Sequence, residues 1–214
     1  MKWASPWVEQ QLRLALLHAQ EATVMRTACN RGVGMESVRG FAFELVMHKL
    51  LSQGGAFKVR TLCPSGTRKD HVAAAAPSDG EETLCVRQVK QFSSVSDLVP
   101  VVEQAYYRPR SNFFPSTDAF DIVRTDTADK NSRWVVIRSF QATVSRSHGL
   151  TPSGLHEILD AVRRSGWKVS EIHHYVVVPL DRLADYVNGR LTAKNSAVEG
   201  VVIVEKAICL RLES

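Results

Sequence analysis

The run Phe41 to Met47, "FAFELVM", is apolar at every position but one, and the exception is Glu44. It sits inside "GMESVRGFAFELVMHKLLSQGG", which reads as a helix with Glu36 or Ser37 near its start and the Gly54-Gly55 pair as its stop. A lone carboxylate in such a run is costly if buried without a partner, so Glu44 must then face a cation, a donor network or a metal. The other reading puts Glu44 on an exposed side, in line with His48 at i+4 and with Gly40 at i−4.

At 214 residues and 44% hydrophobic content the chain suits one domain with its own core and an appended element. No stretch approaches the roughly 18 uninterrupted apolar residues of a membrane helix, and the N-terminus lacks the apolar block of a signal peptide. The expectation is a soluble intracellular protein with no membrane partner. Cys29, Cys63, Cys85 and Cys209 are scattered, with no CxxC, and read as small buried apolar residues rather than a metal knuckle or disulfide framework. A net charge of +5 favours polyanion partners modestly, because Lys and Arg contacts to phosphate release counterions.

Residues 1–34 read as an N-terminal amphipathic helix, Pro6 to Cys29, with a linker, and residues 35–214 as an α/β domain. After the Glu44 helix the pattern predicts a strand "FKVRTL", an irregular excursion from Cys63 to Glu82, and a strand "TLCVRQVKQF". A helix from Val95 to Tyr106, capped by Ser94 or Ser96, follows. Strands are then expected around Ala119 to Val123 and over "WVVIRSFQATV", joined by the polar turn "RTDTADKNSR". Thr151 caps a helix from Pro152 to Ser165 with Leu155, Ile158, Leu159 and Val162 as its stripe and Gly166 as its stop. "IHHYVVVP" reads as a buried strand, "LDRLADYVNGRL" as a short helix and "GVVIVEKAICLRL" as a terminal strand or pair. Short turns between neighbouring strands imply a mixed central sheet flanked by helices.

One constellation suits chemistry. Gln141 and Thr143 lie two apart on a strand and share a face, and if that strand pairs with its predecessor, Asp118 approaches Gln141. With Glu44 as a fourth oxygen donor, such a cluster suits Mg²⁺, which keeps several waters and bridges to phosphate.

The stretches "GFAFELVMHKLLSQGGAFKVRTL", "AYYRPRSNFFPSTDAF" and "FQATVSRSHGL", followed by a helix and "HHYVVVP", resemble the C-terminal region of retrotransposon hot spot proteins of trypanosomatids and the related C-terminal modules of Crinkler effectors. The resemblance implies a restriction-endonuclease-like core of the PD-(D/E)XK type, carrying here an extra N-terminal helix. It maps Glu44 onto the helix acid, Asp118 onto the strand acid and Gln141 onto the third ligand, all three holding the metal. Thr143 falls where a lysine is expected. A hydroxyl there only hydrogen-bonds, whereas an ammonium stabilises developing phosphate charge, so Lys90, Arg138 or Arg146 would have to supply the cation. The resemblance also implies a nuclear location, DNA or RNA as substrate, and chromatin or transcription machinery as partners. An upstream ATPase module is usual in hot spot proteins, and no GxxxxGK[ST] occurs here. Three functional readings follow: a Mg²⁺-dependent nuclease with a degenerate site, a catalytically inactive nucleic-acid-binding or scaffold module, and a decayed gene product that keeps only its fold.

A rival placement uses Gln88-Val89-Lys90 with Asp70 or Asp79 upstream, where the lysine is present. Tyr106, Tyr107, Phe113 and Phe114 beside Arg108 and Arg110 either stack on bases or pack the core. His148 either positions a phosphate or stabilises a turn. His173 and His174 alternate faces and are poorly placed to share a metal.

Overall fold

The structure is a computed structural model that describes residues 11, 15, 19–30, 36–62, 79–85, 87–110, 114–115, 117–125, 133–145, 152–185 and 197–210. Three helices are described: α1 (Glu21–Cys29), α2 (Glu36–Gln53) and α3 (Ser153–Arg164). Nine strands form one sheet: β1 (Gly55–Thr61), β2 (Asp79–Leu84), β3 (Gln88–Phe92), β4 (Ala105–Pro109), β5 (Ala119–Arg124), β6 (Trp134–Ala142), β7 (Lys168–Pro179), β8 (Ala197–Val198) and β9 (Val201–Leu210). The order is β2-β1-β9-β7-β6-β5-β4-β3, with β8 added to β9. It is mixed, as expected: β4, β5 and β6 form an antiparallel meander, α3 crosses over, and β7 joins β6 in parallel.

Strand alternation divides the side chains between two cores. Tyr107, Phe120, Ile122, Val135, Ile137 and Ile172 face α3, and Leu155, Ile158, Leu159 and Val162 close that side. Tyr106, Ala119, Phe140, Tyr175, Val177 and Ile208 face the other way, onto α2. On α2 the residues Arg39, Phe41, Ala42, Phe43, Val46, Met47, His48 and Leu51 are all buried. A helix apolar around most of its girth needs protein around most of its girth, and the sheet supplies it by curling.

The curl follows from chain length. β2 and β3 stand at opposite ends of the strand order, yet only residues 85–87 join them. Four Cα–Cα steps reach at most about 15 Å, whereas seven flat strand spacings span about 34 Å. The edges are therefore rolled toward each other around α2. Two contacts mark the concavity: Tyr175 on β7 donates its hydroxyl to Glu82 on β2 at 2.6 Å, across β9 and β1, and the Arg87 N–H in the link donates to Ser52 O at the end of α2 at 2.9 Å.

Several elements differ from the sequence expectation. The helix expected over Val95 to Tyr106 is one 3₁₀ turn, Val95–Leu98, followed by strand β4. Pro100 has no N–H to continue a helix, and Gln104 adopts a φ of 60° in the turn that feeds the strand. "TLCVRQVKQF" is two strands that part company at residues 85–87. The helix expected from Pro6 to Cys29 is interrupted at Gln20, whose extended φ −61°, ψ 145° starts α1 afresh; most of residues 1–18 lie outside the described residues. α1 packs on α2 through the fully buried Ala28, whose carbonyl accepts from Arg39 Nε at 2.9 Å. Thr151 lies outside the described residues, and α3 starts from Pro152. "LDRLADYVNGRL" begins as a 3₁₀ stretch, Leu180–Asp185. Cys209 is buried as expected, but Cys85 is exposed, because it sits in the link between the two edge strands; Cys63 lies outside the described residues. No helix among the described residues is long and apolar enough to cross a membrane.

Candidate functional site at the end of the meander

Asp118 stands immediately before β5, and the Ala119–Phe140 pairing sets it level with Gln141 on β6. The neighbour pairing on which the expected approach of these two depended is present. The Asp118 carboxylate has a structural duty as well. Its Oδ2 accepts the Ala142 N–H at 2.7 Å, and its own N–H donates to Phe140 O at 2.9 Å, so the side chain stands in for a carbonyl at the end of the ladder. Thr117 completes this end by donating its hydroxyl to Ala119 O at 2.8 Å.

Thr143 donates its N–H to Val177 O at 2.9 Å and accepts the Ser145 N–H on Oγ1 at 3.1 Å. It is a buried turn-forming hydroxyl where a nuclease of the resembled type carries an ammonium. Gln141 is 7% exposed. Alternation from Phe140, which packs toward α2, sends Gln141 to the α3 side of the sheet.

Glu44 enters from α2, where Gly40 one turn earlier lets the helix lie close to Val144, 3.7 Å from a Cβ built at Gly40. The outward-facing reading of Glu44 and His48 does not hold. His48 is 6% exposed and the Glu44 side chain 17%, because the curled sheet closes over that side of the helix. Glu44 Oε1 lies 3.5 Å from His48 Nε2, and His48 Nδ1 lies 3.0 Å from the Tyr106 hydroxyl. Burial holds His48 below its ordinary pKa, outweighing the support from Glu44, with Arg108 adding to the depression. Tyr106 is held well above the ordinary phenol value by burial first, then by the negative charges of Asp118, Asp121 and Glu44, which Arg108 opposes. Glu44, Asp118 and Arg108 therefore lie within electrostatic reach of one phenol. Among the described residues, no group of three or more His, Cys, Asp and Glu side chains has the geometry of a metal site, and Gln141 faces the side of the sheet away from Glu44.

The proposed substitute cations fare differently. Arg138 is locked in a buried bidentate pair, Nε to Asp121 Oδ1 at 2.7 Å and Nη2 to Oδ2 at 2.6 Å, with Arg87 Nε 3.3 Å from the same carboxylate. Lys90 lies on the edge strand β3, far from β6 along the sheet order. Arg110 is exposed, and Arg146 and His148 lie outside the described residues. Of the rival placement, Asp79 sits on β2 engaged by Arg60 at 2.6 Å, Gln88 and Lys90 sit on β3, the helix expected to follow them is one 3₁₀ turn, and Asp70 lies outside the described residues. Tyr106, Tyr107 and Phe114 pack the two cores, so they are not a base-stacking surface; Phe113 lies outside the described residues. His173 and His174 do face opposite sides, bound to Glu171 and Ser139 respectively.

Two polar groupings escaped the sequence reading. The Arg87–Asp121–Arg138 cluster had no signal beyond an acid and a base on consecutive apolar strands. The Glu44–His48–Tyr106 chain had one, the i,i+4 spacing of Glu44 and His48. No family model, curated protein or solved structure matches this chain.

Proposed function

We propose that this chain is a restriction-endonuclease-like module that binds DNA or RNA and hydrolyses the phosphodiester bond slowly with Mg²⁺. The observation that carries the reading is the β4-β5-β6-α3-β7 connectivity with Asp118 level with Gln141 at the meander end and Glu44 supplied by the enclosed helix. The carboxylates of Glu44 and Asp118 suit a hard cation that keeps much of its water, and would hold it; Gln141, turned to the α3 side of the sheet, faces away from Glu44. Bound Mg²⁺ supplies charge neutralisation at the phosphate and an acidified water. In the reaction the attacking water would give up a proton to solvent as its oxygen forms the new P–O bond, the ester P–O bond would break, and the leaving alkoxide would take a proton from solvent. Thr143 orients the water through its hydroxyl hydrogen.

A second reading, binding without turnover, is favoured by Thr143 in the lysine position and by the locking of Arg138. In either case the resemblance to hot spot and Crinkler modules points to the nucleus and to chromatin or transcription machinery as partners. The test incubates the protein with labelled single- and double-stranded DNA and RNA in Mg²⁺ or Mn²⁺, alongside Asp118→Asn. Cleavage lost in the variant with binding retained supports the nuclease; binding without cleavage in both supports the scaffold. Neither activity at low salt overturns both and leaves a fold without retained function.

A further inference from the structure

The contacts of Glu44 define more than a ligand. His48 Nδ1 faces the Tyr106 hydroxyl at 3.0 Å, and Nε2 faces Glu44 Oε1 at 3.5 Å, too long for a formed hydrogen bond; Nε2 is buried with no hydrogen-bond partner. Tyr106 is 1% exposed, and His48 is the one hydrogen-bond partner of its hydroxyl among the described residues. A buried phenol left without an acceptor loses the full desolvation cost of its O–H, about 1–3 kcal/mol. The hydroxyl therefore donates, Nδ1 accepts, and the ring proton is confined to Nε2.

We infer that Tyr106 and His48 are positioning residues for Glu44: the tyrosine fixes the Nε2–H tautomer of His48, and that N–H directs the Glu44 carboxylate toward the meander end where Asp118 stands. A donor of this kind orients a carboxylate without cancelling its charge, so Glu44 keeps its full attraction for a cation. Partners of metal ligands that act in this way typically contribute about 10–100-fold in metal affinity. This inference rests on the cation-binding reading above, but its tautomer component stands apart from it.

Imidazole ¹⁵N chemical shifts of the full chain, with Mn²⁺ titrated as the probe and followed by paramagnetic broadening, separate the two. The expected result is a His48 ring protonated at Nε2 alone, a Tyr106→Phe variant in which the tautomers mix, and Mn²⁺ affinity about tenfold weaker in Tyr106→Phe. His48→Gln, whose amide offers a donor to Glu44, retains more affinity than His48→Leu. A wild-type ring protonated at Nδ1, or Mn²⁺ affinity unchanged in both Tyr106→Phe and His48→Leu while Glu44→Gln abolishes it, overturns the inference. Mn²⁺ binding insensitive to Glu44→Gln, with the Nε2–H tautomer in place, instead overturns the cation-site reading.

Discussion

Substituting Asp121 by Asn should be among the most damaging single changes in this chain. Asp121 is 1% exposed and holds Arg138, 8% exposed, in a two-bond fork at 2.6 and 2.7 Å, with Arg87 at 3.3 Å on the same carboxylate. An amide of the same shape removes the charge and leaves two guanidinium groups uncompensated in a low-dielectric site. Breaking a buried pair from one side costs about 3–5 kcal/mol, which for a chain of this size lowers Tm by roughly 6–20 °C. Arg138→Met is the milder change, about 3 kcal/mol or less, because Arg87 still faces the carboxylate. The triple variant Asp121→Leu, Arg138→Met, Arg87→Met should recover much of the loss, since replacing a whole buried charge cluster by apolar groups is often close to neutral, whereas leaving Arg87 in place would keep one guanidinium uncompensated. Urea titration followed by circular dichroism at pH 7 gives the numbers. A loss under about 1 kcal/mol for Asp121→Asn, the range of exposed pairs, would refute the reasoning.

Two further predictions concern packing and pH. Gly154→Ala places a Cβ 1.9 Å from Pro115 O in the first turn of α3, so despite a helix-propensity gain of about 1 kcal/mol the variant should be less stable by about 1–3 kcal/mol, measured as a lower urea midpoint; a higher midpoint would contradict it. His48 and His173 are both held below the ordinary value of 6.5 chiefly by burial, so the unfolded chain binds the extra protons first. Stability is full above about pH 6.5 and falls as pH drops through the folded values; Glu82, where burial is the largest single effect and pushes up but Lys206, Tyr175 and His173 together outweigh it and hold the carboxyl low, adds a second loss below its ordinary 4.5. Urea midpoints from pH 8 to 3 should decline in two stages, and a flat profile between 7 and 5 would refute the histidine part.

The elements legible in the sequence were those whose periodicity and stops agreed, as in α2 with its Gly54-Gly55 stop and the Leu155-Ile158-Leu159-Val162 stripe of α3. The β5 and β6 strands were legible because a polar turn joins them, whereas the first strand of the meander, β4, was partly read as helix and the register was left conditional on the two strands pairing. What escaped was long-range. No local pattern reveals that residues 85–87 link opposite ends of the strand order, and the rival Gln88-x-Lys90 site leaned on a following helix, Val95 to Tyr106, that is one 3₁₀ turn and strand β4. Glu44 facing inward rather than outward was undecidable for the same reason. A helix apolar on most sides is enclosed by something, but periodicity does not say that a curled sheet encloses it.

The decisive chemical question is Thr143, and a gain-of-function change addresses it. If the meander end holds a cation through Glu44 and Asp118, the component missing for efficient phosphodiester hydrolysis is a charge at position 143. Thr143 is 5% exposed at the end of β6, where its main chain is fixed to Val177 and its hydroxyl oxygen accepts the Ser145 N–H. A lysine stem can run along the strand end and carry its ammonium outward, at the cost of that one turn hydrogen bond, about 1 kcal/mol. A charged donor placed where transition-state charge develops is worth about 10²–10³ in rate. Thr143→Lys should therefore raise Mg²⁺-dependent cleavage of labelled single-stranded DNA or RNA above wild type, and Asp118→Asn in the same background should abolish the gain. A folded Thr143→Lys protein that binds Mn²⁺ as wild type does and still cleaves nothing would mean that the donors at this strand end are not arranged around a scissile phosphate, and that Asp118 serves the ladder alone.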